Sequence, residues 1–111
     1  MENKILPIKP EEVIGAKQKF IPDKMFESVN EMIVRTWNGS KATFRQDDLI
    51  IKYLDKIGEP NNFTNRNKIF DNHLLDFEDI YREQGWYVEY DKPGYDEDYP
   101  ATFTFRKTRN I

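Results

Sequence analysis

Residue types that carry much of enzyme chemistry are absent or scarce in this chain. Its 111 residues include no cysteine and a single histidine, His73, and the only serines are Ser28 and Ser40. Without cysteine there is no disulfide framework, thiolate metal site or thiol catalysis. Neither serine lies in a glycine-flanked nucleophile motif, and His73 stands beside two leucines, as packing or surface histidines do. We therefore expect a protein that is not an enzyme and has no catalytic residues.

Further absences narrow the class of protein. The five glycines are all isolated, so the chain has neither a Walker-type phosphate loop nor a dinucleotide fingerprint. No stretch approaches the roughly 20 apolar residues that span a bilayer, and residues 1–19 lack the apolar core of a signal peptide. These features predict a cytoplasmic protein without a cofactor. The stability of its core must come from side-chain packing. Aromatic residues, which bury large areas, make up 14% of the chain and should supply much of this packing.

The charges that are present are distributed unevenly. The formal net charge is −3, yet residues 71–98 hold ten carboxylates and only two bases, so the rest of the chain is net positive. Within this acidic run, Asp76, Asp79 and Glu83 are three and four residues apart and would share one helical face, as metal ligands can. The residue order of a calcium-binding loop is missing. We therefore interpret these acids as a solvated helix face and predict no metal.

Hydrophobic periodicity indicates two helices in the first half of the domain. Apolar residues at three- and four-residue steps predict a helix over residues 22–37, with Trp37 on its buried face. Thr43 and Gln46 match a capping box, which predicts the start of a second helix that runs to Ile57. Ile57 is expected in the core.

A third helical region follows and ends at Gly85. Thr64 or Asn65 is the expected cap, and either residues 71–72 or Asp76 can divide the region in two.

The pattern then changes to the two-residue period of strands, over residues 86–91 and 101–106. Pro93 and Gly94 in the connection have the order of a type II turn, which predicts an antiparallel hairpin with a long loop. We refer to residues 91–100 as the hairpin loop. The predicted inward face of the hairpin comprises Trp86, Val88, Tyr90, Ala101, Phe103 and Phe105.

These elements predict an α+β fold with a three-helix core and a C-terminal antiparallel β-hairpin. If residues 41–43 form a small first strand, the element order is that of a winged helix, with the hairpin loop as its wing. The expected organisation is an N-terminal arm over residues 1–20, with a short helix at 10–19, and a single winged-helix-like domain over 21–111. Such an analogy supports an architecture and not a function.

Several segments resemble small hypothetical proteins encoded by large tailed bacteriophages, over residues 13–107 in all. The segments that carry this resemblance include Trp37-Asn38-Gly39-Ser40, Asp79-Ile80-Tyr81-Arg82 and Gly85-Trp86 with Lys92-Pro93-Gly94-Tyr95. The resemblance implies a phage accessory protein that works in the bacterial host cytoplasm, and it implies no activity and no functional residues.

Two binding functions fit the charge pattern. The first is docking of the acidic residues on a basic protein partner, such as a host nucleic-acid-handling protein, with tyrosines either anchoring the contact or folding back on the hairpin. The candidate residues are Asp76, Asp79, Glu83, Tyr95, Asp96, Glu97, Asp98 and Tyr99. The alternative is nucleic-acid binding through bases of the second and third helices. Its candidate residues are Lys41, Arg45, Lys52, Lys56, Arg66 and Lys68.

Overall fold

The fold positions a helical layer against one face of a three-stranded sheet. The computed structural model describes residues 7–9, 13 and 20–107. Within these residues the elements are α1 (Asp23–Thr36), β1 (Lys41–Arg45), α2 (Gln46–Ile57), α3 (Phe63–Asp71), α4 (Glu78–Glu83), β2 (Tyr87–Asp91) and β3 (Thr102–Arg106). The predicted α+β class is confirmed, with four helices in this part of the chain. Whether the domain is a winged helix stays a prediction, as does its division into an arm and a domain.

The sheet is antiparallel, in the order β1-β3-β2. Phe105 on the central strand lies opposite Ala42 and Val88, and these three side chains are buried. Phe103 lies opposite Phe44, and both are also buried. Alternate residues of a strand point to the same face, so one side of the sheet becomes the wall of the core. The predicted inward face of the hairpin is thereby confirmed, although Trp86, Tyr90 and Ala101 are only partly buried.

Helix α1 places its apolar stripe on this sheet. Met25, Val29 and Met32 recur at the helical period and are buried. The expectation that Trp37 belongs to the core is wrong, because the helix ends at Thr36 and Trp37 adopts an extended conformation. Its ring is 37% exposed and meets the edge of Trp86, with ring centroids 6.0 Å apart.

The predicted start of the second helix is wrong. Thr43 lies within β1, and its hydroxyl is 3.1 Å from the hydroxyl of Thr104 on the neighbouring strand. The residue before α2 is Arg45, which makes no side-chain capping bond. The Gln46 side chain instead accepts a hydrogen bond from Tyr90 at 2.7 Å. Thr43 therefore pairs within the sheet and Gln46 bonds to Tyr90, so neither residue caps the helix.

The far end of α2 also differs from expectation. Ile57 is 40% exposed, so its predicted place in the core is wrong. It is the last helical residue, and Gly58 follows with φ +75°, the left-handed conformation that glycine adopts without steric cost. The N–H of Gly58 bonds to the carbonyl of Asp55 at 3.2 Å and ends the helix.

The third helical region is divided, as predicted, into α3 and α4. The cap of α3 is Asn62 and not Thr64 or Asn65, because the Asn62 side chain accepts a bond from the N–H of Asn65 at 2.8 Å. Between the two helices, His73 has φ +56°, which is uncommon outside glycine. This residue turns the chain so that α4 can reach the edge of the sheet.

The predicted type II turn in the hairpin loop is wrong. Gly94 does not have the positive φ that such a turn requires, whereas glycines 39, 58 and 85 do. The loop turns two residues later, where the N–H of Glu97 bonds to the Gly94 carbonyl at 3.2 Å. The predicted helix at 10–19 lies, apart from Val13, outside the described residues.

Candidate partner-docking surface

The acidic helix α4 lies along the outer edge of β2. Its Arg82 guanidinium donates a 2.7 Å hydrogen bond to the Val88 carbonyl, and the Trp86 N–H donates to the Tyr81 carbonyl at 3.1 Å. Buried Ile80 and Tyr81 hold the helix on the core. The charged residues of α4 are therefore displayed beside the hairpin.

The predicted docking residues of this helix are all exposed, but their surroundings differ. Asp79 pairs with Arg82 at 2.7 Å. Asp76 precedes the helix without capping it, and its carboxylate lies 3.8 Å from a ring nitrogen of His73. Glu83, the last residue of α4, makes no ion pair or hydrogen bond with its side chain among the described residues. The net charge of this helix face is thus negative.

Glu78 is a member of this region that the predicted set of docking residues omits. It is half-buried at the side of a cavity of about 170 Å³ lined also by Gln46, Phe70 and Tyr90. Loss of solvation on burial raises the pKa of the Glu78 carboxyl above its ordinary value. No sequence signal distinguishes Glu78 from its exposed neighbours, since its burial depends on how α4 meets the sheet.

The two tyrosines of the hairpin loop have different roles. Tyr99 folds back, and its hydroxyl lies 2.9 Å from both a carboxylate oxygen of Asp91 and the carbonyl of Lys92. The hydrogen bond to the Asp91 carboxylate raises the pKa of Tyr99 to about 12. Tyr95 is fully exposed at the tip of the loop. Of the two, only Tyr95 is therefore free to anchor a partner.

The three consecutive acids at the tip of the loop, Asp96, Glu97 and Asp98, are also exposed. The Glu97 carboxylate accepts a 2.8 Å bond from the Gly94 N–H and so fixes the tip of the loop. Asp96 and Asp98 form no ion pair or side-chain hydrogen bond within the described part of the chain. Two carboxylates without a described partner, those of Asp96 and Asp98, therefore lie within three residues of Tyr95.

The hairpin loop and α4 do not form one even patch. Glu78 is close enough to Tyr90 to raise the pKa of that phenol, after the larger effect of burial, whereas Arg82 reaches Val88. The N-terminal end of α4 is therefore on the side of β2 where the hairpin loop begins. Glu83 lies at the opposite end of this short helix and away from the loop.

The bases proposed for nucleic-acid binding are mostly neutralised by acids of their own neighbourhood. Arg45 pairs with Asp48 at 3.2 Å, and Arg66 pairs with Asp47 at 2.7 Å. Lys41 and Lys68 have no ion pair among the described residues.

Two lysines of α2 converge on a single acid of α1. Lys52 lies 3.1 Å from Glu31, and Lys56 is in direct contact with the same carboxylate. Hydrogen bonds from Lys56 and Lys52 lower the pKa of Glu31. These pairs join α1 to α2, so the two lysines act within the fold.

Residues with potential for catalysis are separated in space. The Ser28 hydroxyl is buried and donates to the Lys24 carbonyl at 2.7 Å, and the Ser40 hydroxyl bonds to Asn38 in an exposed turn. Residues 20–107 contain no group of three or more acids or histidines placed to hold a metal ion. No helix in the described part of the chain is long and apolar enough to cross a membrane.

Comparisons of the chain with protein-family models, curated proteins and solved structures give no match. A proposal for function therefore depends on the charge and geometry of the surfaces described above.

Proposed function

We propose that this protein is a small non-enzymatic binding module that docks on a basic partner protein. The contact would be made by the acidic surface, defined here as the acids of α4 with Asp76 and the acids of the hairpin loop. One observation carries the proposal: acids of the run 71–98 are largely uncompensated, whereas most candidate bases elsewhere are paired. Among the described residues, the run contains one ion pair, that of Arg82 with Asp79, and His73 lies 3.8 Å from the Asp76 carboxylate.

This asymmetry matters because unpaired charge acts at a distance. Paired charges largely cancel beyond a few ångströms, whereas the exposed acids maintain a negative potential that attracts a basic surface and speeds association. Closely spaced carboxylates also suit a site that normally binds phosphates. The partner we propose is therefore a host or phage protein with a basic surface, such as a nucleic-acid-handling protein. The exposed ring of Tyr95 would supply apolar contact at the centre of the charged loop.

Nucleic-acid binding by a winged-helix-like domain is the competing proposal. It is favoured by the element order and by Lys68 on α3, which is exposed and has no ion pair with any described residue. Against it, Arg45, Lys52 and Arg66 would have to exchange carboxylate partners for phosphates. The acidic hairpin loop would repel the nucleic acid that a wing normally contacts. Protein docking is therefore the better supported proposal, and an accessory role in the host cytoplasm is the setting implied by the phage resemblance.

The decisive experiment compares association rates. A bacterial lysate is passed over the immobilised protein, and the captured protein is purified for kinetics at low and high salt. In the first variant, Asp96→Asn, Glu97→Gln and Asp98→Asn remove three charges while retaining side-chain size. We expect association to become several-fold slower at low salt and less sensitive to salt, since exposed charges act mainly on the encounter rate. A second variant carries Asp76→Asn and Glu83→Gln, and a similar but smaller effect is expected.

The matched control for the first variant changes three acids outside the acidic run, by Asp23→Asn, Asp55→Asn and Glu59→Gln. The control changes the net charge by the same amount as the first variant. If the acidic surface makes the contact, the association rate of the control should stay near that of the parent. Equal rates for the parent and the two acidic-surface variants would refute docking through this surface. If the lysate yields nucleic acid and Arg45→Ala weakens its capture, the competing proposal is supported instead.

A further inference from the structure

The pairing of β1 with β3 determines which backbone groups of β1 point outward. The Gln46 N–H donates to the Ala101 carbonyl at 2.8 Å, and these two residues continue the register that pairs Phe44 with Phe103. In an antiparallel ladder, residues that exchange hydrogen bonds alternate with residues whose N–H and C=O point away. Phe44 and Ala42 therefore bond to β3, and the backbone groups of Lys41, Thr43 and Arg45 point away from the sheet.

The same alternation on the other side of β3 explains how the β2 edge is covered. There, the outward residues are Val88 and Trp86, and both have partners from α4. The Val88 carbonyl accepts from Arg82, and the Trp86 N–H donates to Tyr81. The position of α4 therefore agrees with the alternation of inward and outward backbone groups deduced for β1. Helix α4 also closes one edge of the sheet.

Within the described part of the chain, the edge at β1 is closed only at its first residue. Asn38 accepts the Lys41 N–H on its side chain and donates its own N–H to the Lys41 carbonyl, both at 2.9 Å. Beyond this clamp, the outward N–H and C=O of Thr43 and the N–H of Arg45 have no hydrogen-bond partner among the described residues. Thr43 and Arg45 are both exposed residues, and no described element pairs with these groups.

A groove of about 570 Å³ lies along this open edge. Its walls are the C-terminal half of α1 and the first turns of α2. The lining is mixed: Met32 and Ile51 are apolar, whereas Asp48, Lys52 and Asp55 are charged. Ile51 is 47% exposed, an apolar side chain that would lose water if the groove were filled. The volume is in the usual range of ligand sites, and its open form suits a segment of chain.

We propose that the β1 edge and its groove form a strand-addition site for an extended segment of another protein, with carboxylates at alternate positions and β-branched apolar residues between them. Unpaired backbone groups in a row are complementary to another strand. On the solvent face, the new strand would lie beside Lys41, which has no ion pair among the described residues, and Arg106 is opposite Lys41 on β3. It would also lie beside Arg45, whose guanidinium an incoming carboxylate would share with Asp48. On the other face, it would meet Ile51. The proposal is independent of docking through the acidic surface.

The same charges argue against a second copy of this chain as the occupant. Antiparallel pairing of two β1 edges about Thr43 would place Lys41 of each copy opposite Arg45 of the other. Like charges directly opposite each other destabilise a sheet, and charged residues on edge strands are a common protection against such pairing. A heterologous acidic strand turns this repulsion into attraction.

The test titrates isotope-labelled protein with the acetylated and amidated peptide Glu-Val-Glu-Val-Glu-Val and monitors backbone amide shifts. We expect saturable shifts centred on Thr43 and Arg45. Thr43→Pro removes the outward N–H at a position where an edge strand tolerates proline, and it should weaken binding about fivefold or more. The matched control is Thr43→Val, which keeps the N–H while losing the hydroxyl contact with Thr104. This control should bind like the parent.

Two further peptides separate backbone pairing from simple charge attraction. The same sequence N-methylated at its glutamates cannot donate to the Thr43 carbonyl in an antiparallel arrangement, and a peptide with lysine in place of glutamate would face Lys41 and Arg45. Both should shift these amides far less at equal concentration. The proposal is overturned if the methylated peptide or the Thr43→Pro variant binds as well as its parent. It is also overturned if the free protein dimerises through these same amides.

Discussion

Removal of the ring of Phe103 gives the sharpest test of how the sheet faces the core. This side chain is 1% exposed, and its ring centroid lies 5.0 Å from that of Phe77, 4.7 Å from Tyr90 and 5.9 Å from Phe44. These neighbours belong to β1, to β2 and to the segment before α4, so they cannot all move inward to fill a vacated space. Phe103→Ala should therefore leave a cavity at the centre of the aromatic cluster.

The expected loss in the free energy of unfolding is about 3–5 kcal/mol, which combines lost transfer energy with the residual cavity. A domain of this size has a total stability of roughly 5–15 kcal/mol, so the variant would lose a large share of it. With a urea dependence of about 1–3 kcal/mol per molar, the unfolding midpoint should fall by about 2 M.

Urea unfolding followed by far-ultraviolet circular dichroism measures this shift. The matched control is Phe63→Ala, because Phe63 is 79% exposed on α3 and its loss should change stability by no more than about 0.5 kcal/mol. Equal midpoints for the parent and Phe103→Ala would refute the reasoning. Such a result would mean that the alternate residues of β3 face the core, since a shift of one residue inverts a strand.

Two other substitutions test single contacts between distant parts of the chain. The pKa of Glu31 is lowered by Lys56 and Lys52, so its charge stabilises the fold above the unfolded-state pKa of 4.5, and this contribution is lost as the pH falls through the lower folded-state value. The stability difference between the parent and Glu31→Gln should therefore be present at neutral pH and disappear in acid. Tyr81→Phe should lower stability by about 1 kcal/mol, because the buried Tyr81 hydroxyl donates a 2.7 Å bond to the Asn30 side chain.

Matched controls exist for both. Glu83→Gln removes an exposed charge with no described ion pair and should leave the stability at neutral pH near that of the parent. Tyr95→Phe removes a fully exposed hydroxyl and should leave the denaturant midpoint in place. If the stability difference between the parent and Glu31→Gln persists in acid, the pairing of Glu31 with Lys52 and Lys56 would be contradicted. An unchanged midpoint for Tyr81→Phe would contradict the bond to Asn30.

The order and type of the elements could be predicted from the sequence because they depend on local periodicity. The stripe that includes Met25 and Val29 repeats at the helical period, and Phe103 and Phe105 repeat at the strand period. Both patterns persist whatever the rest of the chain does. The break within the third helical region was likewise predictable, because polar residues interrupt the apolar pattern near residue 72.

Predictions failed where a distant segment competes for the same residues. Thr43 and Gln46 match a helix cap locally, yet Thr43 pairs with β3 and Gln46 accepts a hydrogen bond from Tyr90. Trp37 and Ile57 continue an apolar stripe in the sequence, but each stands at the end of its helix, where the surface is open. The type II turn failed because Glu97 fixes the loop through the Gly94 N–H.

The sequence by itself determined the α+β class, the inward face of the hairpin and the concentration of acids in residues 71–98, because composition and periodicity are properties of the chain alone. Tertiary structure decided which of those charges have partners and which sheet edge stays open. Ion pairs such as Lys52 with Glu31 join residues of different elements, and α4 covers the edge of β2 while no described element covers the edge of β1 beyond Lys41. Charge compensation and edge protection depend on distances in space, and no local pattern in the chain encodes them.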